Sequence, residues 1–250
     1  MRVVSLVPSW SETLWEWGLR EAELIGVTNF CVRPRAMFES VERVGGTKDP
    51  RVARIVELAP DLVVVNVEEN RKPDVDALLD AGLKLHVTDV RTVEAAAREV
   101  RALGGAVGRP TEGEALAVRI EDAHAEARRA RFERKLRAFV PIWKKPWMTL
   151  NGDTYASALL AACGFANVAA GLGERYATVE EPEIRALAAE VALLPTEPYP
   201  FGEKHRGDLE VAGIPRARCV VVDGQALTWY GWRTPEGVAE LARVRSGVGR

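Results

Sequence analysis

The chain has 250 residues, 47% of them hydrophobic, enough to fill one large core or two smaller ones. Its 34 basic and 36 acidic residues leave a formal net charge of -2, so no broad positive field gathers phosphate backbones and nucleic acid is not an expected partner. Cys31, Cys163 and Cys219 lie far apart and match no CxxC or zinc spacing, which argues against a disulfide framework or a bare-metal site and for reduced, buried thiols.

The opening run Val3-Val4-Ser5-Leu6-Val7 before Pro8 is too short for a signal-peptide core and reads as a first strand over residues 3–7. No stretch reaches the roughly 20 apolar residues of a membrane span. A cytoplasmic protein is expected, or a periplasmic or extracellular one if the chain is a processed form. Further strands are expected at Leu24–Val27, 62–65 and 85–87, alternating with helices at 50–58, 74–81 and 93–103. The 61–65 run is apolar on both faces, as a central parallel strand must be. Ala59-Pro60, Gly82 and Gly104-Gly105 supply the helix stops.

Between Thr111 and Arg137 the pattern changes: alanines and charges dominate, and Leu116, Ile120, Ala123, Ala127 and Ala130 recur three or four apart. One continuous helix is expected there, roughly 40 Å long at 1.5 Å per residue. A second α/β half follows, with strands at 139–143, 191–194 and Cys219–Val222 and helices at 154–163, 181–189 and 235–244. The fold class is therefore α/β in two lobes, each with a mostly parallel sheet flanked by helices, joined by one long backbone helix. The expected boundaries are 1–108 for the first lobe, 109–138 for the helix and 139–250 for the second.

Ligands of open parallel sheets meet the loops after the carboxyl ends of the strands. Here those loops are rich in aromatics and polar groups: Ser9-Trp10, Asn66 to Arg71, Lys144 to Trp147, Glu197 to Phe201, and Trp229-Tyr230-Gly231-Trp232-Arg233. Rings on such loops suit the wall of a pocket for a flat or bulky ligand; the competing reading is that each ring packs the edge of its own lobe. Ser5, Ser9 and Ser11 lack a GxSxG elbow, and Ser9 reads as a helix N-cap. The Gly45-Gly46-Thr47-Lys48 run fits no phosphate-binding motif and reads as a tight turn. His205, the only histidine on a candidate loop, is a ligand contact or an axial nitrogen to a ligand's metal.

Four blocks stand in a telling order: RVVSLVPSWSETLWEWGL, GGTKDPRVARIVELAPDLVVVN, GDTYASALLAACGFANV and DGQALTWYGWRTPEGVAELARV. With them the chain resembles the class III substrate-binding proteins for cobalamin and ferric siderophores, the helical-backbone metal receptors. The resemblance implies capture of cobalamin, another corrinoid, or a ferric siderophore or haem-like chelate in a cleft between the lobes, with no cofactor and no catalysis. A single rigid helix between lobes limits hinge movement, and the resemblance implies ligand contacts near Ser9, Trp10, Lys48, Asn66, Glu69, Asn70, Trp147, Tyr176, Trp229, Tyr230, Trp232 and Arg233, to which the loop reading adds Glu197 and His205. An acidic lobe surface at Glu68 and Glu69 is then expected to dock on an ABC permease. The segments at 29–31, 68–70, 141–147 and 197–201 depart from the periplasmic members and suggest a subfamily with its own ligand. The alternative is a cytoplasmic enzyme using Asp153, Glu197 or His205 as acid or base, or a sensor of the same ligand class.

Overall fold

In the computed structural model, which describes residues 1–130 and 132–248, the β-branched runs become the strands of two parallel sheets. In chain order the elements are β1 (Val3–Ser5), α1 (Pro8–Glu16), β2 (Leu24–Val27), α2 (Arg35–Ser40), α3 (Val52–Glu57), β3 (Leu62–Asn66), α4 (Lys72–Asp80), β4 (Leu85–Thr88), α5 (Val93–Ala106) and α6 (Pro110–Arg129). There follow β5 (Leu136–Phe139), β6 (Pro141–Trp143), β7 (Trp147–Leu150), α7 (Tyr155–Ala162), β8 (Phe165–Asn167), β9 (Tyr176–Val179), α8 (Glu181–Ala186), β10 (Val191–Pro195), β11 (Cys219–Val222), α9 (Gly224–Thr228) and α10 (Thr234–Val248).

The chain divides into two compact units. The first comprises Met1–Val90, Ala95–Val118 and Tyr230–Trp232; the second comprises Arg91–Glu94, Arg119–Trp229 and Arg233–Arg250. In the first, the order β2-β1-β3-β4 is parallel throughout, with Val4 opposite Val63 and Val64 opposite His86. Its central strand β3 is buried along its whole length, as its two-sided apolar pattern requires. Its Val63 and Val65 pack with Val4, Leu6, Val44, Ile55 and Leu78 in one core, each worth about 1.5–3 kcal/mol of transfer free energy. Where α5 meets α6, a Cβ on Gly104 would stand 2.9 Å from the Gly113 Cα, so this crossing is built for glycine.

In the second unit β11-β10-β5-β8 form the parallel sheet, and β6-β7-β9 form a smaller sheet with antiparallel pairings. Its core gathers Phe139, Val179, Ile184, Leu194, Leu209 and Ile214. The strand expected at 139–143 is thus two strands in two sheets. Pro141 has no N–H to continue a ladder, and the Val140 carbonyl is taken at 2.8 Å by the Thr149 hydroxyl.

The long helix ends at Arg129, not Arg137, and Arg131 lies outside the described residues. At 20 residues it is about 30 Å long, shorter than its alanine-rich sequence suggested. Tertiary contacts take over past its end. The Phe132 ring fills the space over Gly164 and carries the Arg245 guanidinium 4.6 Å from its centroid, while Arg134 grips Glu190 through both terminal nitrogens. One helix starts earlier than its expected Ser9 cap, and two more, α2 and α9, have no counterpart among the expected elements. α1 starts with Pro8 in its first turn and Val7 as N-cap, so Ser9 is not the cap; α2 follows Pro34; α9 is capped by Asp223, whose Oδ1 accepts from the Gln225 and Ala226 amides. Among the described residues no helix is long and apolar enough to cross a membrane.

Candidate functional site

Parallel pairing carries every connection after a strand to the carboxyl edge of its sheet. In the first unit that edge is organised by Thr88, the last residue of β4, which is buried. Its Oγ1 accepts from Trp10 Nε1 at 3.0 Å and from Asn66 Nδ2 at 3.1 Å, and donates to the Val65 carbonyl at 3.1 Å. The Tyr230 ring leans on Trp10 with centroids 4.9 Å apart, and its hydroxyl is buried near Ser9 and Thr88. Burial, reinforced by the nearby Glu69 charge, pushes this phenol far up, so it stays protonated.

The Asn66–Asn70 loop is braced around two amides. Asn66 Oδ1 accepts from the Glu68 and Glu69 amides, and Asn70 Oδ1 accepts from the Asn66 amide. Asn70 Nδ2 donates to the Leu6 and Thr47 carbonyls, and Lys48 Nζ donates to the Glu68 carbonyl at 2.5 Å. Ser9, Trp10, Lys48, Asn66, Asn70 and Tyr230 are therefore parts of one arrangement, with Glu69 on its loop. Trp10 is fully buried and Tyr230 nearly so; in this structure their rings pack the unit's interior rather than stand open on a loop. Gly231 has φ +77, and a Cβ there would meet Thr13 Oγ1 at 2.6 Å; that close approach lets the Trp232 amide donate to the same oxygen.

In the second unit the corresponding edge is aromatic. Trp147 stacks on Phe201 with planes 3° apart and centroids at 6.2 Å, and is itself buried. Tyr199 lies against Phe201 at 4.6 Å and meets the edge of Trp143 at 5.5 Å. Trp143, 43% exposed, is the open ring of the array. Lys144 lies 5.7 Å from the Trp147 centroid and pairs with Asp208 at 2.5 Å. Tyr176, at the start of β9, is exposed.

His205 is buried between Tyr199 and Phe201, and its Nδ1 accepts from the Gly202 amide at 3.0 Å. A neutral imidazole held this way carries its hydrogen on Nε2, so it offers a donor rather than a lone pair. The axial-nitrogen reading of His205 is corrected on that ground. Glu197 sits half-buried after β10, taking hydrogen bonds from Gln225 Nε2 at 3.1 Å and from the Trp229 side chain. Burial raises its carboxyl above the usual range. Arg233 lies 6.0 Å from the centroid of buried Trp229 and pairs with Glu236 at 2.9 Å.

Asp153, the third candidate acid or base, is gripped by Arg91 at 2.6 Å and Arg175 at 2.9 Å, which hold its carboxyl below the usual range. It stays ionised and committed at neutral pH, a poor proton carrier. Thr88, Trp143, Tyr199 and Gln225 join the candidate residues only in the structure. Trp143 and Tyr199 had a signal in the aromatic loops, whereas Thr88 and Gln225 had none, because only tertiary pairing gives them their neighbours.

A family model described as periplasmic binding protein matches residues 3–198. The chain belongs to that family. Among curated relatives it is 27% identical over 192 residues to the vitamin B12-binding protein of Vibrio parahaemolyticus, a match covering 76% of this chain and 69% of that one. It is 26% identical over 250 residues to an ABC transporter substrate-binding lipoprotein of Bacillus subtilis, covering 96% and 78% of the two chains. Among solved structures, the periplasmic vitamin B12 binding protein of Vibrio cholerae aligns with a TM-score of 0.86 at 20% identity, covering 100% and 98%. A periplasmic haem binding protein of Pseudomonas aeruginosa gives 0.80 at 23% identity, covering 97% and 91%. These two likenesses show that the chain shares their α/β fold.

Proposed function

We propose that this binding protein delivers a corrinoid such as cobalamin to an ABC-type importer, working outside the cytoplasmic membrane as its family description implies. The observation that carries the ligand choice is the match to a vitamin B12-binding protein over 76% of the chain. Of the expected contacts, Lys48, Glu69, Tyr176, Glu197 and Trp232 keep surface open to a ligand, while Trp10, Asn66, Asn70 and Tyr230 brace the first unit's edge beneath. Capture without catalysis is supported by Asp153, whose ionised carboxylate is committed to two guanidiniums. Glu68 and Glu69, on a loop fixed by Asn66, are the proposed acidic dock for permease arginines.

Titration with cobalamin, cobinamide, haemin and a ferric hydroxamate, read by tryptophan fluorescence and equilibrium dialysis, tests the reading. Saturable, stoichiometric binding of the corrinoids with unchanged ligand recovered afterwards is the expected result. Binding confined to haemin or the siderophore, or recovery of an altered corrinoid, overturns it.

A further inference from the structure

Glu197 and Gln225 come from neighbouring strands of one sheet: Glu197 follows β10, and Gln225 opens α9 just after β11. Gly224 makes the approach possible, since a Cβ there would stand 2.5 Å from the Glu197 amide nitrogen. Gln225 is 7% exposed; its Nε2 points at the Glu197 carboxylate, and its Oε1 has no hydrogen-bond partner. A buried amide oxygen without a donor has lost its water without gaining a partner, which favours a ligand that brings an N–H to it. The neighbouring Arg233 guanidinium pairs with Glu236 at 2.9 Å, and its charge also favours the ionised form of Glu197.

We propose that Glu197 and Gln225 form an acceptor pair that selects ligands bearing primary carboxamides over ligands bearing carboxylates on the same ring. A primary carboxamide carries two N–H groups on one nitrogen, the number needed to serve the Glu197 carboxylate and the Gln225 Oε1 together. A carboxylate in the same position brings no donor and places a second negative charge beside Glu197. The inference rests on the corrinoid reading and deepens it, because it names which feature of a corrin rim the second unit reads.

The test compares dicyanocobinamide, with a carboxamide rim, against dicyanocobyrinic acid, with carboxylates on the same macrocycle, by equilibrium dialysis near neutral pH. The wild type is expected to hold the carboxamide form about tenfold more tightly. Glu197→Gln removes the charge at constant shape and brings the two affinities within about threefold, chiefly by tightening the carboxylate form. Gln225→Leu removes the unpaired acceptor and weakens the carboxamide form about three- to tenfold; it also serves if Glu197→Gln does not fold, as judged by thermal melting. Equal wild-type affinities, or a ratio that neither variant changes, overturn the inference and leave the corrinoid reading standing. Failure of the folded wild type to bind either corrinoid overturns both.

Discussion

In the first unit one threonine, Thr88, ties Trp10, Asn66 and a backbone carbonyl together; in the second, rings stack on rings from Trp147 to Trp143 with few hydrogen bonds among them. The first edge belongs to a parallel sheet, whereas Trp143 and Trp147 of the second belong to the antiparallel strands β6 and β7, and the two edges place their aromatics differently. Where an indole N–H finds a buried hydroxyl, the ring sinks into the interior, as Trp10 does. Where rings back one another in an open array, the outermost is left at the surface, as Trp143 is. The contrast is between a tryptophan tied inward by its N–H and a tryptophan held at the rim of a ring array by its edge alone.

The sharpest way to break this contrast is Trp10→Ala, which opens a cavity at a fully buried site and strips a donor from Thr88. A loss of about 3–5 kcal/mol in denaturant unfolding is expected. A loss below about 1 kcal/mol would mean Trp10 is not the anchor of the first unit. Trp147→Ala and Trp143→Ala make a matched pair within the second. The stacked, buried Trp147 should cost about 3 kcal/mol or more, whereas Trp143 should cost under about 1 kcal/mol while removing the most solvent-exposed component of the fluorescence. Equal costs would sink the assignment of Trp143 as the open ring.

Thr88→Val keeps the shape and deletes the hydroxyl, leaving Trp10 Nε1 and Asn66 Nδ2 without their acceptor, so unfolding free energy should fall by about 1–3 kcal/mol. An unchanged midpoint would dissolve the claim that this hydroxyl organises the edge. The smallest effects are those of pH. Glu197 binds its proton more readily folded than unfolded, so stability should decline as pH rises through the window from the ordinary glutamate value to its raised folded value. Glu190, held down to about 2 chiefly by Arg134, has the opposite sign: its contribution is present above the ordinary value and fades as pH falls toward about 2. Difference curves for Glu197→Gln and Glu190→Gln, by chemical unfolding across the acid range, should slope in opposite directions.

Much of the architecture could be read directly. The strands Leu24–Val27 and Cys219–Val222, the buried β3 and the glycine-stopped helices follow from period-two and period-3.6 patterns that short-range sterics enforce. The overlong reading of α6 shows where such patterns fail, because alanine-rich propensity was overruled by Phe132 and Arg134 finding tertiary partners. The candidate site was legible as a set of loops and much less as a set of exposed side chains. Asn66 and Asn70 were picked out as contacts, and the structure shows them bracing a loop through hydrogen bonds to residues as far away in sequence as Thr47 and Leu6.

By itself the sequence determined the alternation of strands and helices, the two-part α/β organisation and the end of each sheet at which its polar and aromatic loops gather. These depend on backbone geometry and on the spacing of apolar residues, which are local. Only tertiary structure decided that Trp10 lies inward and Trp143 outward, that the Gly202 amide occupies His205 Nδ1, and that Gln225 turns its Nε2 to Glu197 and leaves its buried Oε1 unpaired. Those outcomes turn on hydrogen bonds and ring contacts between residues distant along the chain, and no local pattern encodes which partner a polar group will meet once water is excluded.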